Sequence, residues 1–160
     1  MPCIFCELLA ADGPATWIAR EEGAAAFLTL PRSALAPGHT LVVPTEHAVG
    51  VQDVSAAGLT ATMALVQRVA RGMAQGLGAA GVNVLNASGP GSEQSVAHLH
   101  FHVVPRWLDD GFTTWPSGRS RREGVGDPGM ELAVAVAAIR ADDDGIGHRS
   151  DSDLNEDRPD

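Results

Sequence analysis

Three histidines stand at alternate positions in the run His98-Leu99-His100-Phe101-His102-Val103-Val104. Successive side chains of an extended chain point to opposite faces, so His98, His100 and His102 share one face, roughly 6–7 Å apart, and Leu99, Phe101 and Val103 share the other. The apolar face is that of an ordinary core strand. The imidazole face could be a solvent face that happens to carry histidine, although Thr, Lys or Glu would serve there as well. It could be a metal site, although three ligands in a row fan out poorly around a tetrahedral ion. The third use is catalytic: histidine carries protons near neutral pH and serves as a nucleophile in covalent catalysis. The loop that leads into the run, Asn86-Ala87-Ser88-Gly89-Pro90-Gly91-Ser92-Glu93-Gln94-Ser95, points to a target. Its backbone N–H groups, hydroxyls and amides suit an anion. It is not a P-loop, because it lacks Gly-Lys-Ser/Thr and the chain has no lysine. Beside the histidines it suggests attack on the phosphorus of a phosphate ester.

These residues need a scaffold, and the pattern of the chain supplies one. Thr16–Arg20 and Ala24–Leu28 read as two short strands around Glu21-Glu22-Gly23. Pro31 to Gly38 is a loop, and Thr40–Val43 is a strand stopped by Pro44. Val54–Gly78 reads as one long helix, with Ser55 as its cap and Gly78 as its stop. Leu59, Met63, Val66, Ala70, Met73 and Leu77 form a single helical stripe. Val82–Asn86 and Ala97–Val104 read as strands, and Met130–Arg140 as a second, shorter helix. Residues 1–141 are expected to form the domain.

The 160 residues carry a formal net charge of −9. From Asp142 to Asp160 eight acidic residues face only Arg149 and Arg158, with few apolar side chains between them. Residues 142–160 therefore read as an acidic, disordered tail. A chain this acidic is not expected to bind a nucleic-acid backbone. It has no apolar run of membrane-spanning length and no signal-peptide pattern at its start, and a cytoplasmic protein is expected. Near the N-terminus lies Cys3-Ile4-Phe5-Cys6. Such a pair can be a redox couple, two buried thiols, or half of a tetrahedral zinc site that needs two further ligands.

Cys3-Ile4-Phe5-Cys6, Pro37-Gly38-His39-Thr40-Leu41-Val42-Val43-Pro44, the Asn86…Gln94-Ser95 stretch and the histidine run ending in Pro105-Arg106 follow one another in the order of a known family. The sequence resembles the histidine triad (HIT) superfamily, and within it the Hint-like bacterial branch of nucleotide hydrolases. The resemblance covers roughly Cys3 to Trp115. It implies an α+β fold with an antiparallel sheet and one long helix, in a homodimer. It implies transfer of a nucleotidyl group to His100 and then to water, with His102 and His39 orienting the network or assisting proton transfer, and no metal in the chemistry. Gln94 and Ser95 match phosphate-contacting positions, and Asn86 sits near the ribose phosphate. Ile4, Phe5, Leu8, Phe27 and Leu28 match positions that enclose the base. Thr29 stands where members carry the aspartate that holds the ribose hydroxyls. The matching zinc ligands are Cys3, Cys6, His47 and His98, a closed structural Zn²⁺ site. The implied ligand is a purine nucleotide or nucleotide conjugate, with AMP expected. The implied reaction is release of a nucleoside 5′-monophosphate from a phosphoramidate or phosphoanhydride. A dinucleoside polyphosphate hydrolase or phosphorylase is a second expectation, and a nucleotide-binding regulatory protein with little turnover a third. Trp115-Pro116 resembles an element near the rim of the site in some members, and Arg119, Arg121 and Arg122 read as a solvated basic loop.

Overall fold

The computed structural model describes residues 3–11, 13–122 and 126–146. The chain divides into two compact units, residues 1–114 and 115–160. The first holds a five-stranded antiparallel sheet in the order β1-β2-β3-β5-β4. Its strands are β1 (Trp17–Glu21), β2 (Ala24–Leu28), β3 (Thr40–Pro44), β4 (Gly81–Leu85) and β5 (Phe101–Arg106). Two helices accompany it, α1 (Ile4–Ala10) and α2 (Ala56–Leu77). The α+β fold expected from the sequence is the one observed.

The period-2 alternation of the strands divides the core in two. On one face Ala24, Ala26, Val42, Leu99, Phe101 and Val103 pack with Leu65, Val66, Val69 and Met73 of α2. On the other face Ala25, Phe27, Leu41 and Val43 pack with Phe5 of α1. The histidines lie on this second side, so α1 and the sheet enclose the chemistry while α2 supports the sheet from behind. Gly23 turns the β1–β2 hairpin at φ +86°, a left-handed conformation that a residue without Cβ adopts at no steric cost.

Helix α2 begins and ends as its sequence dictates. Ser55 accepts a hydrogen bond from the Gly58 N–H at 2.9 Å, and Gly78 closes the helix at φ +64°. The buried stripe overlaps the expected one: Val66 and Met73 are in the core and Leu59 and Ala70 pack against it, but the centre of the face is shifted. Gly58, Thr62, Leu65, Val66, Val69 and Met73 are buried, whereas Met63 and Leu77 are 41% and 47% exposed. Two adjacent stripes of α2 are apolar, and periodicity alone does not choose between them. The stripe that meets the sheet carries the small Gly58 and Thr62, which permit close approach.

The histidine strand is also shorter than expected. Ladder pairing starts at Phe101, opposite Val42, so His98 and His100 precede β5. The neighbouring β3 ends at Pro44, which has no N–H to offer a ladder. The Leu99 N–H instead donates to the Ala48 carbonyl at 2.6 Å. The alternation survives outside the ladder, with Leu99, Phe101 and Val103 all in the α2-facing core. Helix α1 was not legible as a helix, because seven residues of mixed polarity show no clear period. In the second unit, α3 (Pro128–Ile146) runs past the expected Arg140, and the Asp127 carboxylate receives the N–H groups of Gly129 and Met130 at its start. The rest of the acidic tail, 147–160, lies outside the described residues.

Candidate active site and metal centre

The hydrogen bonds around His39, His100 and His102 fix which ring nitrogen of each carries its proton, because a carbonyl only accepts and an amide N–H only donates. His39 lies just before β3, and its Nδ1 accepts the Leu35 N–H at 3.1 Å. The His39 proton is therefore on Nε2. That nitrogen is 2.9 Å from Nδ1 of His102, to which it donates. His102 in turn carries its proton on Nε2. Register makes this contact: Leu41 pairs with His102 across β3 and β5, which brings His39 alongside. At His100 the order is reversed. Its Nδ1 donates to the His98 carbonyl at 2.7 Å, so in the neutral ring the lone pair is on Nε2. His100 is buried at 2% exposure, and its ring centroid is 5.1 Å from that of His102. The Asn86 amide donates to the His100 carbonyl at 2.9 Å, anchoring this residue from the loop side.

Burial favours the neutral form of His39 and His102. It lowers His39 below the usual imidazole value of 6.5. His102 is lowered to about 4, first by burial and then by the neighbouring His100 and His39. An uncharged His39–His102 pair is what the hydrogen bond between the two rings requires.

The second cluster lies at the start of α1. Cys3 is the N-cap residue and Cys6 falls one turn later, so both thiols face the same side of the helix. His47 follows β3, and His98 precedes β5. One donor atom from each of Cys3, Cys6, His47 and His98 lies within 4.8 Å of every other. Nδ1 of His98 is 3.4 Å from Sγ of Cys3 and 3.5 Å from Sγ of Cys6, and Nδ1 of His47 is 3.3 Å from Sγ of Cys6. A tetrahedral zinc ion with ordinary Zn–S and Zn–N bonds places its S and N ligands about 3.5 Å apart, so the set fits that ion. His98 is tuned for ligation: its Nε2–H donates to the Pro44 carbonyl at 3.0 Å, which leaves Nδ1 unprotonated. Burial lowers its basicity, opposed in part by that hydrogen bond. Burial, and then the adjacent Cys3, raise the Cys6 thiol above its ordinary value.

The remaining expected residues are placed unevenly. Phe5 packs edge-on against Phe27, His98 and His100, with centroids 5.6, 5.8 and 5.5 Å away. Phe27 also meets Trp17 at 5.4 Å, and Leu8 borders the same cluster. These rings form core as much as pocket. Leu28, in step with Ala24 and Ala26 on the other face of β2 from Phe27, is half-buried, while Ile4 is 62% exposed. The Thr29 hydroxyl donates to the His39 carbonyl at 3.3 Å. The Gln94 amide spans the loop, accepting from the Gly89 N–H at 2.8 Å and donating to the Val49 carbonyl at 2.6 Å. Ser95 is exposed. Trp115 and Arg119, Arg121 and Arg122 belong to the second unit. Two participants were not foreseen. The Leu35 N–H sets the His39 tautomer, a backbone role with no signal in side-chain type. The Ser88 hydroxyl, 2.6 Å from Asn86 Oδ1, steadies that amide, and its position two residues on in a Ser/Gly loop was the available hint.

The sequence model of the HIT domain matches residues 11–107. The chain belongs to the HIT domain family. It is 35% identical over 111 residues to the protein named hit of Bacillus subtilis, covering 69% of this chain and 75% of that protein. It is 30% identical over 138 residues to the adenosine 5′-monophosphoramidase of Schizosaccharomyces pombe, covering 85% of this chain and 99% of that protein. Among solved HIT structures, a zinc-bound histidine triad family protein from Mycobacterium smegmatis superposes with a TM-score of 0.65 at 32% identity, covering 89% of this chain and 98% of that one. A hypothetical protein from Leishmania major superposes with a TM-score of 0.73 at 29% identity, covering 88% and 96%. As a HIT protein the chain falls among nucleotide hydrolases and transferases. Among its described residues no helix is long and apolar enough to cross a membrane.

Proposed function

We propose that this protein hydrolyses a nucleoside 5′-phosphoramidate, with AMP as the nucleotidyl group, through a covalent nucleotidyl-His100 intermediate. The single observation that carries the reading is the tautomer of His100: Nδ1–H is committed to the His98 carbonyl, and in the neutral ring Nε2 is left as a buried, unprotonated nitrogen. In the first step Nε2 bonds to the α-phosphorus. The P–N bond to the leaving amine breaks with its electron pair going to the amine, which takes a proton from solvent. In the second step water attacks phosphorus, the His100–P bond breaks with its pair returning to Nε2, and the water proton goes to solvent. One water is consumed for one amine and one AMP. The Nε2–H of His102, fixed by the His39 contact, is a donor suited to a non-bridging phosphoryl oxygen. The base is assigned to the side of Phe5, Leu8 and Phe27, bordered by Ile4. The ribose is assigned to Thr29, and the phosphate to Asn86, Gln94 and Ser95. A structural Zn²⁺ on Cys3, Cys6, His47 and His98 belongs to the same reading, as does assembly into a homodimer, which light scattering in solution checks.

The name of the S. pombe relative supports the phosphoramidate over other linkages. The test is product formation from an AMP-amine phosphoramidate and from diadenosine tetraphosphate in parallel. Fast AMP release from the first substrate is expected, with turnover by His100→Ala reduced at least ~10³-fold. Preference for the tetraphosphate, or near-normal turnover by His100→Ala, overturns the reading.

A further inference from the structure

Resting on the reading of His100 as the nucleophile, we propose that the Cys3–Cys6–His47–His98 centre is a positioning device for the reacting nitrogen. The metal it holds then governs the active site as well as the fold. Two independent links join the centre to His100.

The first is His98, which takes part in both clusters. Its ring offers Nδ1 to the centre and donates Nε2–H to Pro44, while its backbone carbonyl receives the His100 Nδ1–H at 2.7 Å. That carbonyl precedes β5 and lies outside the ladder, so pairing with a neighbouring strand does not set its direction. The His98 N–H also bonds locally, to the Val96 carbonyl at 2.8 Å. The peptide plane of this carbonyl is also held by the Leu99 N–H on the Ala48 carbonyl at 2.6 Å and by the Gln94 amide, 3.5 Å from the carbonyl oxygen. The ring is the remaining tie, and a metal on Nδ1 clamps it at both nitrogens.

The second link is Phe5, which lies between the two cysteines on α1 and packs edge-on against the rings of both His98 and His100. Helix α1 has seven residues and no side-chain hydrogen bond at its N-cap. A helix so short does not hold itself. Cys3 and Cys6, tied to one ion, fix the turn that carries Phe5. Loss of the metal would release the His98 ring and the Phe5 wedge together. The acceptor of the His100 Nδ1–H would be left to its backbone ties alone, and the Nε2–H tautomer, which has no lone pair on Nε2 to attack phosphorus, would gain population.

The experiment compares the full-length protein loaded with zinc, loaded with the larger cadmium ion, and treated with a chelator. The tautomer of each histidine is read by two-bond ¹H–¹⁵N correlation. With zinc, His100 should show one Nδ1–H form. With cadmium, its ¹⁵N signals should move while those of the His39–His102 pair stay, showing an intact sheet. After chelation, His100 should become a tautomer mixture, and kcat should fall at least about tenfold with KM changed less than about twofold. His100 signals and kcat unaltered in all three states overturn the proposal. If chelation also abolishes the His39–His102 signals, the zinc and cadmium forms decide, and identical His100 spectra and kcat in both overturn it. The two readings fail separately. Turnover retained by His100→Ala removes the nucleophile but leaves any metal-dependent tautomer standing. Turnover lost in His100→Ala, with a metal-independent tautomer, removes the coupling alone.

Discussion

Replacing His102 by Asn should flatten the loss of stability that the protein suffers on acidification. In the folded state His102 is half-buried beside two other imidazoles, and its value falls from 6.5 to about 4. The unfolded chain restores the ordinary value. Between the two values the unfolded state binds a proton that the folded state refuses. This group's contribution is therefore intact above 6.5, is lost as pH drops through that value, and is fully lost near 4. For one site with that shift, the loss between about pH 7.5 and about pH 4.5 is about 2.5 kcal/mol, a large share of the roughly 5–15 kcal/mol that holds a domain together. Asn can still accept the His39 Nε2–H, so the relay keeps its shape while the titrating ring is gone. The assay is urea unfolding of both proteins at steps across this range. At each pH the difference between them removes, to first approximation, what His39 and the metal ligands contribute. The difference should narrow by about 2 kcal/mol toward acid. Parallel curves, with a difference constant to within about 0.5 kcal/mol, would show that His102 is not held neutral by the fold.

Asn86→Ala removes the amide that anchors the His100 carbonyl and leaves the Ser88 hydroxyl without its acceptor. Urea unfolding should show a loss of about 1 kcal/mol, and steady-state kinetics a fall in kcat larger than any rise in KM. Cys6→Ser should lower the zinc content measured by atomic absorption and reduce the melting temperature. An unchanged one-to-one stoichiometry would remove Cys6 from the metal set. Ser55→Ala breaks the cap of α2 and should cost about 1 kcal/mol in unfolding free energy while the rate of AMP release stays unchanged, because α2 lies on the face of the sheet away from the histidines.

Much of the site was legible because the residues that carry it have few other reasons to occur together. Three histidines at alternate positions announce one functional face wherever the chain is extended, and the face survived although the ladder covers only its last member. Cys-x-x-Cys announces half a metal site, since thiols one turn apart converge. The long helix was legible from its apolar period and its two ends. The side it turned to the sheet was legible in part: Leu59, Val66, Ala70 and Met73 meet the core as expected, while Met63 and Leu77 do not, and only close approach to the strands sets the exact centre of the face. The aromatic positions near α1 were legible as apolar and no more, since Phe5 and Phe27 serve the core whether or not a base lies against them.

The sequence by itself determined which side chains can do chemistry here, and that they alternate with a core face. It also determined that no lysine is available to hold a phosphate. Only the tertiary structure decided which nitrogen of each histidine is free. That depends on single partners from distant parts of the chain: the Leu35 N–H for His39, the His39 ring for His102 and the His98 carbonyl for His100. A tautomer is fixed by what lies within about 3 Å of each ring nitrogen, and residue type and spacing carry no record of that neighbour until β3 and β5 are in register.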